Sequence, residues 1–216
     1  MTSKLNGKSS LKEREPRHQC LIYDGPPSKQ LRALAAMMKR KLDEGYRCLY
    51  LNSRPMVAGI QSSLASMGID VESHVAKGRL VLSSQALTSA DGSFDVELML
   101  QSLDDAVDRA LNDGYKGLWA TGDMTWEFGH EKNFPKLMEY EYRLEDIFSK
   151  RPQLCGICQY HRDTLPHEAT RQALVTHQMV FINETLSRIN PHYVPAGRMG
   201  NVAEFDEAAA LRQLQS

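Results

Sequence analysis

The sequence predicts an α/β domain, a mostly parallel sheet with helices on both faces, making three layers. Three observations carry that expectation. Short apolar runs alternate along the chain with longer segments whose apolar residues recur at helical spacing. Glycine or proline punctuates most of the changes from one to the other. No apolar run reaches membrane-spanning length, so the runs read as core strands and helices.

The elements follow in order. "HQCLIY", His18 to Tyr23, is a first strand. The next helix carries Leu31, Leu34, Ala35, Met38 and Leu42 on one stripe and closes at Gly45. "YRCLYLN", Tyr46 to Asn52, is a second strand. Pro55 then opens a helix with Val57, Ile60, Leu64 and Met67 periodic and Gly68 as its stop. "RLVLSS" is a third strand and "TSADGSFD" a polar loop. A long helix presents Met99, Leu103, Ala106, Val107 and Ala110 before "NDG". "GLWATGD" is a fourth strand, and a helix runs from about Asn133 to Ser149. "QLCGICQY" is a fifth strand, Pro166 opens another helix, and "MVFIN" is a further strand. After Pro195 comes the helical pattern "NVAEFDEAAALRQLQ". The chain divides into a disordered arm over 1–16, one domain over 17–196 and a helical tail over 197–216.

The net charge of -1 gives no electrostatic reason to expect DNA or RNA as a partner. The polar N-terminus lacks the apolar middle of a signal peptide. A cytoplasmic protein with reduced cysteines and no membrane contact is expected.

In parallel sheets, ligands bind beyond the carboxyl ends of the strands. That rule singles out Tyr23 and Asp24, Asn52 to Arg54, Ser83 to Gln85, Thr121 to Asp123, and Gln159 to Asp163. The first turn, "YDGPPSKQ", occupies the place of a phosphate loop. A working loop reads G-x-x-x-x-G-K-[ST]. With Lys29 at the lysine position, Tyr23 and Ser28 replace the two glycines and Gln30 replaces the hydroxyl. Pro26 and Pro27 offer no N–H to phosphate. The loop is a degenerate P-loop, with Ser28 as the expected N-cap and weak anion binding the alternative.

Four stretches together carry a family resemblance: "HQCLIYDGP", "GYRCLYLN", "GLWATGDMTW" and "LCGICQYHRDTLP". In order and spacing they resemble the MEDS domain, the methanogen/methylotroph sensory domain of the dichloromethane-responsive regulator. The resemblance covers roughly Arg17 to Ala196. It implies a RecA/KaiC-like sheet, a phosphate loop without its signature, and a sensory or signalling role. Relatives are fused to histidine kinases or DNA-binding domains. No such effector is recognisable here, so a signalling partner is expected, such as a histidine kinase or a transcription regulator. RecA-like domains often assemble, which makes a homo-oligomer an expectation too.

Asp123 stands where a RecA-like ATPase keeps its magnesium-binding aspartate; the alternative is a turn-capping carboxylate. Glu141 falls on the apolar stripe of its helix with Phe134, Leu137, Met138, Leu144 and Phe148, with Glu145 next to it. An inward carboxylate needs a partner, and Arg54 and Arg162, both at strand ends, are the candidates. Trp126, Tyr23 and Tyr160 offer aromatic surface to a ligand, whereas Trp119 lies within a strand and reads as core. The expected ligand-binding set is thus Tyr23, Asp24, Ser28, Lys29, Arg54, Asp123, Trp126, Glu141, Tyr160 and Arg162.

Cys155-x-x-Cys158 with His161, and His18-x-Cys20, have metal-ligand residue types. They approach if the first and fifth strands are neighbours. Within one strand, however, Cys155 and Cys158 face opposite sides, and structural zinc takes four converging ligands. No metal and no other cofactor is expected, with nucleotide as the alternative. No G-x-S-x-G or H-E-x-x-H motif is present, and no catalytic residue is expected.

The leading reading is a non-catalytic sensory module that binds a small ligand at the strand ends and relays it to a protein partner. Its alternatives are a divergent ATP-binding enzyme using Asp123, Glu141 and Lys29, or a pure interaction scaffold in a kinase or sigma-factor circuit. The tail helix, with Val202, Phe205, Ala209 and Leu211 or Leu214, either docks a partner or packs on its own domain.

Overall fold

Alternate residues of each strand meet different helices, and that alternation builds two cores on either side of one sheet. The structure is a computed structural model that describes residues 16–85, 94–127, 134–183, 186–195 and 205–215. The sheet contains β1 (His18–Tyr23), β2 (Arg47–Leu51), β3 (Leu80–Ser83), β4 (Leu118–Asp123), β5 (Leu154–His161), β6 (Met179–Ile182) and β7 (Leu186–Ile189). Their order is β3-β2-β4-β5-β1-β6-β7. The first six are parallel, and β7 pairs antiparallel with β6.

The helices are α1 (Leu31–Asp43), α2 (Arg54–Ser66), α3 (Val71–Ala76), α4 (Val96–Asn112), α5 (Met124–Glu127), α6 (Phe134–Lys150), α7 (His167–Thr176) and α8 (Glu207–Gln215). On one face α1 and α2 pack on Leu21, Tyr23, Cys48, Tyr50, Trp119 and Ile157. On the other, α4, α6, α7 and α8 cover Cys20, Ile22, Leu118, Cys158 and Tyr160. Trp119 is core, as its place within a strand implied. Among the described residues no helix is long and apolar enough to cross a membrane.

Three elements, α3, α5 and β7, have no counterpart in the sequence reading. The helix α3 buries no residue, so it has no apolar stripe to announce it; Asp70 caps it by accepting from the Ser73 amide at 3.0 Å. The strand β7 is only four residues long and exists by pairing with β6. The arm over 1–16 lies, except for Pro16, outside the described residues.

Ser28 is not the N-cap of α1. The Lys29 amide donates to the Pro26 carbonyl at 3.0 Å, closing a 3-10 turn over Pro27–Gln30. The helical backbone thereby starts a turn early, Ser28 sits exposed within it, and Gln30 becomes the cap. The tail helix α8 buries Ala210, Leu211 and Leu214 beside α7, and its Glu207 carboxylate lies 3.4 Å from His167 Nδ1. Its apolar side packs on its own domain, with Ala210 buried where Ala209 was expected and Ala209 exposed; Val202 lies outside the described residues.

Candidate functional site

Nine of the ten expected ligand-binding residues have described side chains, and these separate onto two sides of the sheet. At the carboxyl ends, on the side of α1 and α2, Tyr23 ends β1 and Asp123 ends β4, with β5 between them. The Tyr23 hydroxyl donates to Asp123 Oδ2 at 3.0 Å, and the Thr125 amide donates to Oδ1 at 2.8 Å. Both residues are buried, at 1% and 5% exposure. Burial, with the Asp123 charge added, raises the Tyr23 hydroxyl well above its ordinary value. Asp123 thus has each oxygen engaged by the protein, as in a turn-capping carboxylate.

The loops around this pair are tied to each other. The Tyr23 ring stacks on His161 at 4.9 Å. His161 Nε2 donates to the Gly25 carbonyl at 2.8 Å, and the Gly25 amide donates to Asp163 at 2.8 Å. Gly25 has φ +74, the left-handed region that favours glycine. Asp24 forms a surface pair with Arg162 at 3.7 Å. Lys29 and Arg54 are exposed. The Trp126 side chain lies outside the described residues. Replacing Tyr23 by phenylalanine takes one donor from a buried carboxylate, so Tyr23→Phe should destabilise the protein by about 1–3 kcal/mol. Urea unfolding checks this; an unchanged midpoint would mean that the hydroxyl contributes nothing.

Glu141 and Tyr160 belong elsewhere. Within β5, residues 158 and 160 face α6, whereas 159 and 161 face the crevice. Tyr160 therefore lies one residue out of phase with the strand-end set. Glu141 is 0% exposed on the buried stripe of α6. Its neighbours are not Arg54 or Arg162, which stay at the far strand ends. They are His177, with Nε2 3.6 Å from Oε2, and His18, with Nε2 3.9 Å from Oε2. Cys158 Sγ lies 3.5 Å from His18 Nε2.

Burial pushes the Glu141 carboxyl up to about 7, while the nearby Tyr160 hydroxyl and Cys158 thiol oppose the rise. Neither group makes a hydrogen bond of ordinary geometry with it: among the described residues both Glu141 oxygens are without a hydrogen-bond partner. Burial lowers His18 to about 3 and His177 well below its ordinary value. One turn beyond Glu141, Glu145 lies 2.6 Å from His18 Nδ1 and accepts from the Tyr193 hydroxyl at 2.7 Å. His177 Nδ1 donates to the Ala173 carbonyl at 2.9 Å. The His18 ring stacks on Phe148 at 4.3 Å.

Sequence reasoning missed His177 and Tyr193 in this cluster, and named Glu145 only as the neighbour of Glu141. His18 and Cys158 belong to the two pairs expected to approach if the first and fifth strands are neighbours, and β1 does pair with β5. The one usable signal was the alternation that places His18, Cys20 and Ile22 on one face of β1. As the sequence implied, Cys155 faces away, its thiol directed at the Leu118 carbonyl.

Beside the cluster, between β2–β4 and the helices α4 and α6, lies a cavity of about 270 Å³. Leu49, Leu51, Met99, Leu103, Leu144 and Phe148 supply apolar lining, and Cys158 is part of its wall.

Comparison with known proteins agrees with this architecture. Residues 17–178 match the family model described as MEDS, the methanogen/methylotroph, DcmR sensory domain. Among solved structures, the chain is similar to a KaiC-like protein of the hyperthermophilic archaeon Pyrococcus horikoshii, with a TM-score of 0.55 and 14% identity. That match covers 77% of this chain and 71% of the other. It is also similar to the flagellar accessory protein FlaH of Methanocaldococcus jannaschii, with a TM-score of 0.53, 11% identity, and 86% and 83% of the two chains covered. Comparison with curated proteins gives no match. The sheet is thus RecA/KaiC-like.

Proposed function

The chain belongs to the MEDS family of sensory domains, and we propose that it is a non-catalytic sensor that binds a small, largely apolar molecule in the cavity beside α6. The observation that carries this reading is the composition of that wall. Leu49, Leu51, Met99 and Leu103 make it apolar, and Cys158 connects it to the polar cluster around Glu141. A mostly apolar pocket with a few converging polar groups is the usual form of a small-molecule site. Its volume suits a ligand of few atoms.

The relay would run through α6. That helix gives Leu144 and Phe148 to the cavity and Glu141 and Glu145 to the cluster. A ligand that favours one position of α6 would shift its population and hence the surface offered to a partner, such as a histidine kinase or a transcription regulator.

The non-catalytic part of the proposal is supported at the strand ends. Asp123 is engaged by Tyr23 and Thr125, Pro26 and Pro27 provide no amides, and Lys29 is exposed in a loop without the phosphate-binding signature. The pocket proposed here lies on the α4 and α6 side of the sheet, away from the Tyr23–Asp123 pair, and takes Ser83, Gln85, Thr121 and Gly122 of the strand-end positions into its lining.

The test is thermal melting with toluene, cyclohexane or butanol, beside magnesium-ATP. A ligand that binds only the native state raises the melting temperature by mass action. The apolar probes should raise it in the wild type. Ala106→Phe, on the cavity wall, should abolish the rise without lowering the melting temperature of the free protein. A rise with magnesium-ATP alone, lost in Asp123→Asn, would overturn the proposal in favour of a nucleotide site.

A further inference from the structure

We propose that His18, Glu141, Cys158 and His177 form a buried site for one divalent transition-metal ion, with zinc the first candidate. The inference stands independently of the ligand cavity.

Four side chains that are remote in sequence each offer one ligand atom, and these atoms all lie within 4.8 Å of one another. All four residues are buried. Zinc bonds of about 2.0–2.3 Å set neighbouring atoms of a tetrahedron about 3.3–3.8 Å apart. The distances here are 3.5 Å for Cys158 Sγ to His18 Nε2, 3.6 Å for His177 Nε2 to Glu141 Oε2, and 3.9 Å for His18 Nε2 to Glu141 Oε2. A small inward movement would bring the set to coordination distance.

The groups behind the ligands point the same way. The Glu145 carboxylate faces His18 Nδ1, and the Ala173 carbonyl faces His177 Nδ1. A carboxylate and a carbonyl accept, so each Nδ1 carries the hydrogen and each Nε2 turns its lone pair inward. Tyr193 donates to Glu145 from behind. This is the arrangement that orients metal-bound imidazoles, a ring nitrogen held by a carboxylate or carbonyl. At the centre, His177 Nε2 and both Glu141 oxygens are buried without a hydrogen-bond partner among the described residues. Two lone pairs and a carboxylate facing one another repel, and a divalent cation resolves that conflict. Two imidazoles, a thiolate and a carboxylate suit zinc or cobalt better than magnesium or calcium. Four protein ligands in a closed setting describe a structural site. On binding, the Cys158 thiol proton leaves to solvent.

The test is titration of the chelator-treated full chain with cobalt(II), followed by displacement with zinc. One cobalt per chain should give the visible bands of four-coordinate cobalt and a sulfur-to-cobalt charge-transfer band, both lost on adding zinc. Cys158→Ser should remove the charge-transfer band, and Cys155→Ser, on the opposite face, should keep it. Glu145→Gln leaves the four ligands in place and should weaken affinity by about 10- to 100-fold. A wild-type titration with no charge-transfer band overturns the proposal. So does a band that survives Cys158→Ser and vanishes in Cys155→Ser. The wild-type spectrum decides the matter even where a variant fails to fold.

Discussion

Removing metal with a chelator is expected to lower the melting temperature of the protein by about 8–16 °C. The size follows from mass action. A ligand held at about 1,000 times its dissociation constant stabilises the native state by about 4 kcal/mol. For a chain of this size each kcal/mol moves the midpoint by about 2–4 °C. The site would join β1, α6, β5 and the turn before β6, so its loss releases four elements at once. In Cys158→Ser the chelator should have no effect, because the midpoint already starts at the lowered value. Scanning calorimetry with and without chelator measures both. If the wild-type midpoint does not move, no metal contributes to stability, and the four buried groups are held by shared protons instead.

The second large effect concerns Gly156, at the centre of the sheet. Its strand lies between β4 and β1, and a methyl group at this position would collide with the Ala120 carbonyl oxygen. The obstacle is backbone in the middle of a hydrogen-bonded ladder, which cannot move without breaking register with β2 as well. Gly156→Ala should therefore cost about 3 kcal/mol, the upper end of the usual range for overpacking. Gly59→Ala is the informative comparison. A methyl there meets only the Leu31 side chain, its Cδ1 at 2.5 Å, and that side chain can change rotamer. Urea unfolding of both variants should rank Gly156→Ala as the more damaging. The reverse ranking would show that the sheet adjusts more easily than the α1–α2 contact.

Much of this architecture can be read along the chain. The first strand expected from "HQCLIY" is β1 residue for residue, and the stripe of Leu31, Leu34, Ala35, Met38 and Leu42 is the buried side of α1. The family resemblance over roughly Arg17 to Ala196 agrees with the match over 17–178. Glu141 was legible as an inward carboxylate, because helical periodicity states which side of a helix a residue occupies. Periodicity does not state what lies across from it. The arginines at the strand ends were the nearest cations in type, yet they sit at a different end of the molecule. The true neighbours include two histidines, 123 residues before Glu141 and 36 after it.

By itself, then, the sequence determined most of the local elements and the faces of those elements, which depend on spacing between near neighbours, while the RecA/KaiC-like class and the sensory family came from the resemblance of four stretches spread along the chain. Only the tertiary structure decided which strands adjoin and which faces meet. The register His18↔Gly156 and Cys20↔Cys158 brings the start of β1 alongside β5, and α6 then lays Glu141 over both. The alternation of apolar residues helps to set the register of a strand, but which remote strands become neighbours is decided by the packing of the whole core. That is why the Tyr23–Asp123 pair and the cluster of His18, Glu141, Cys158 and His177 emerge as two separate sites on opposite faces of one sheet.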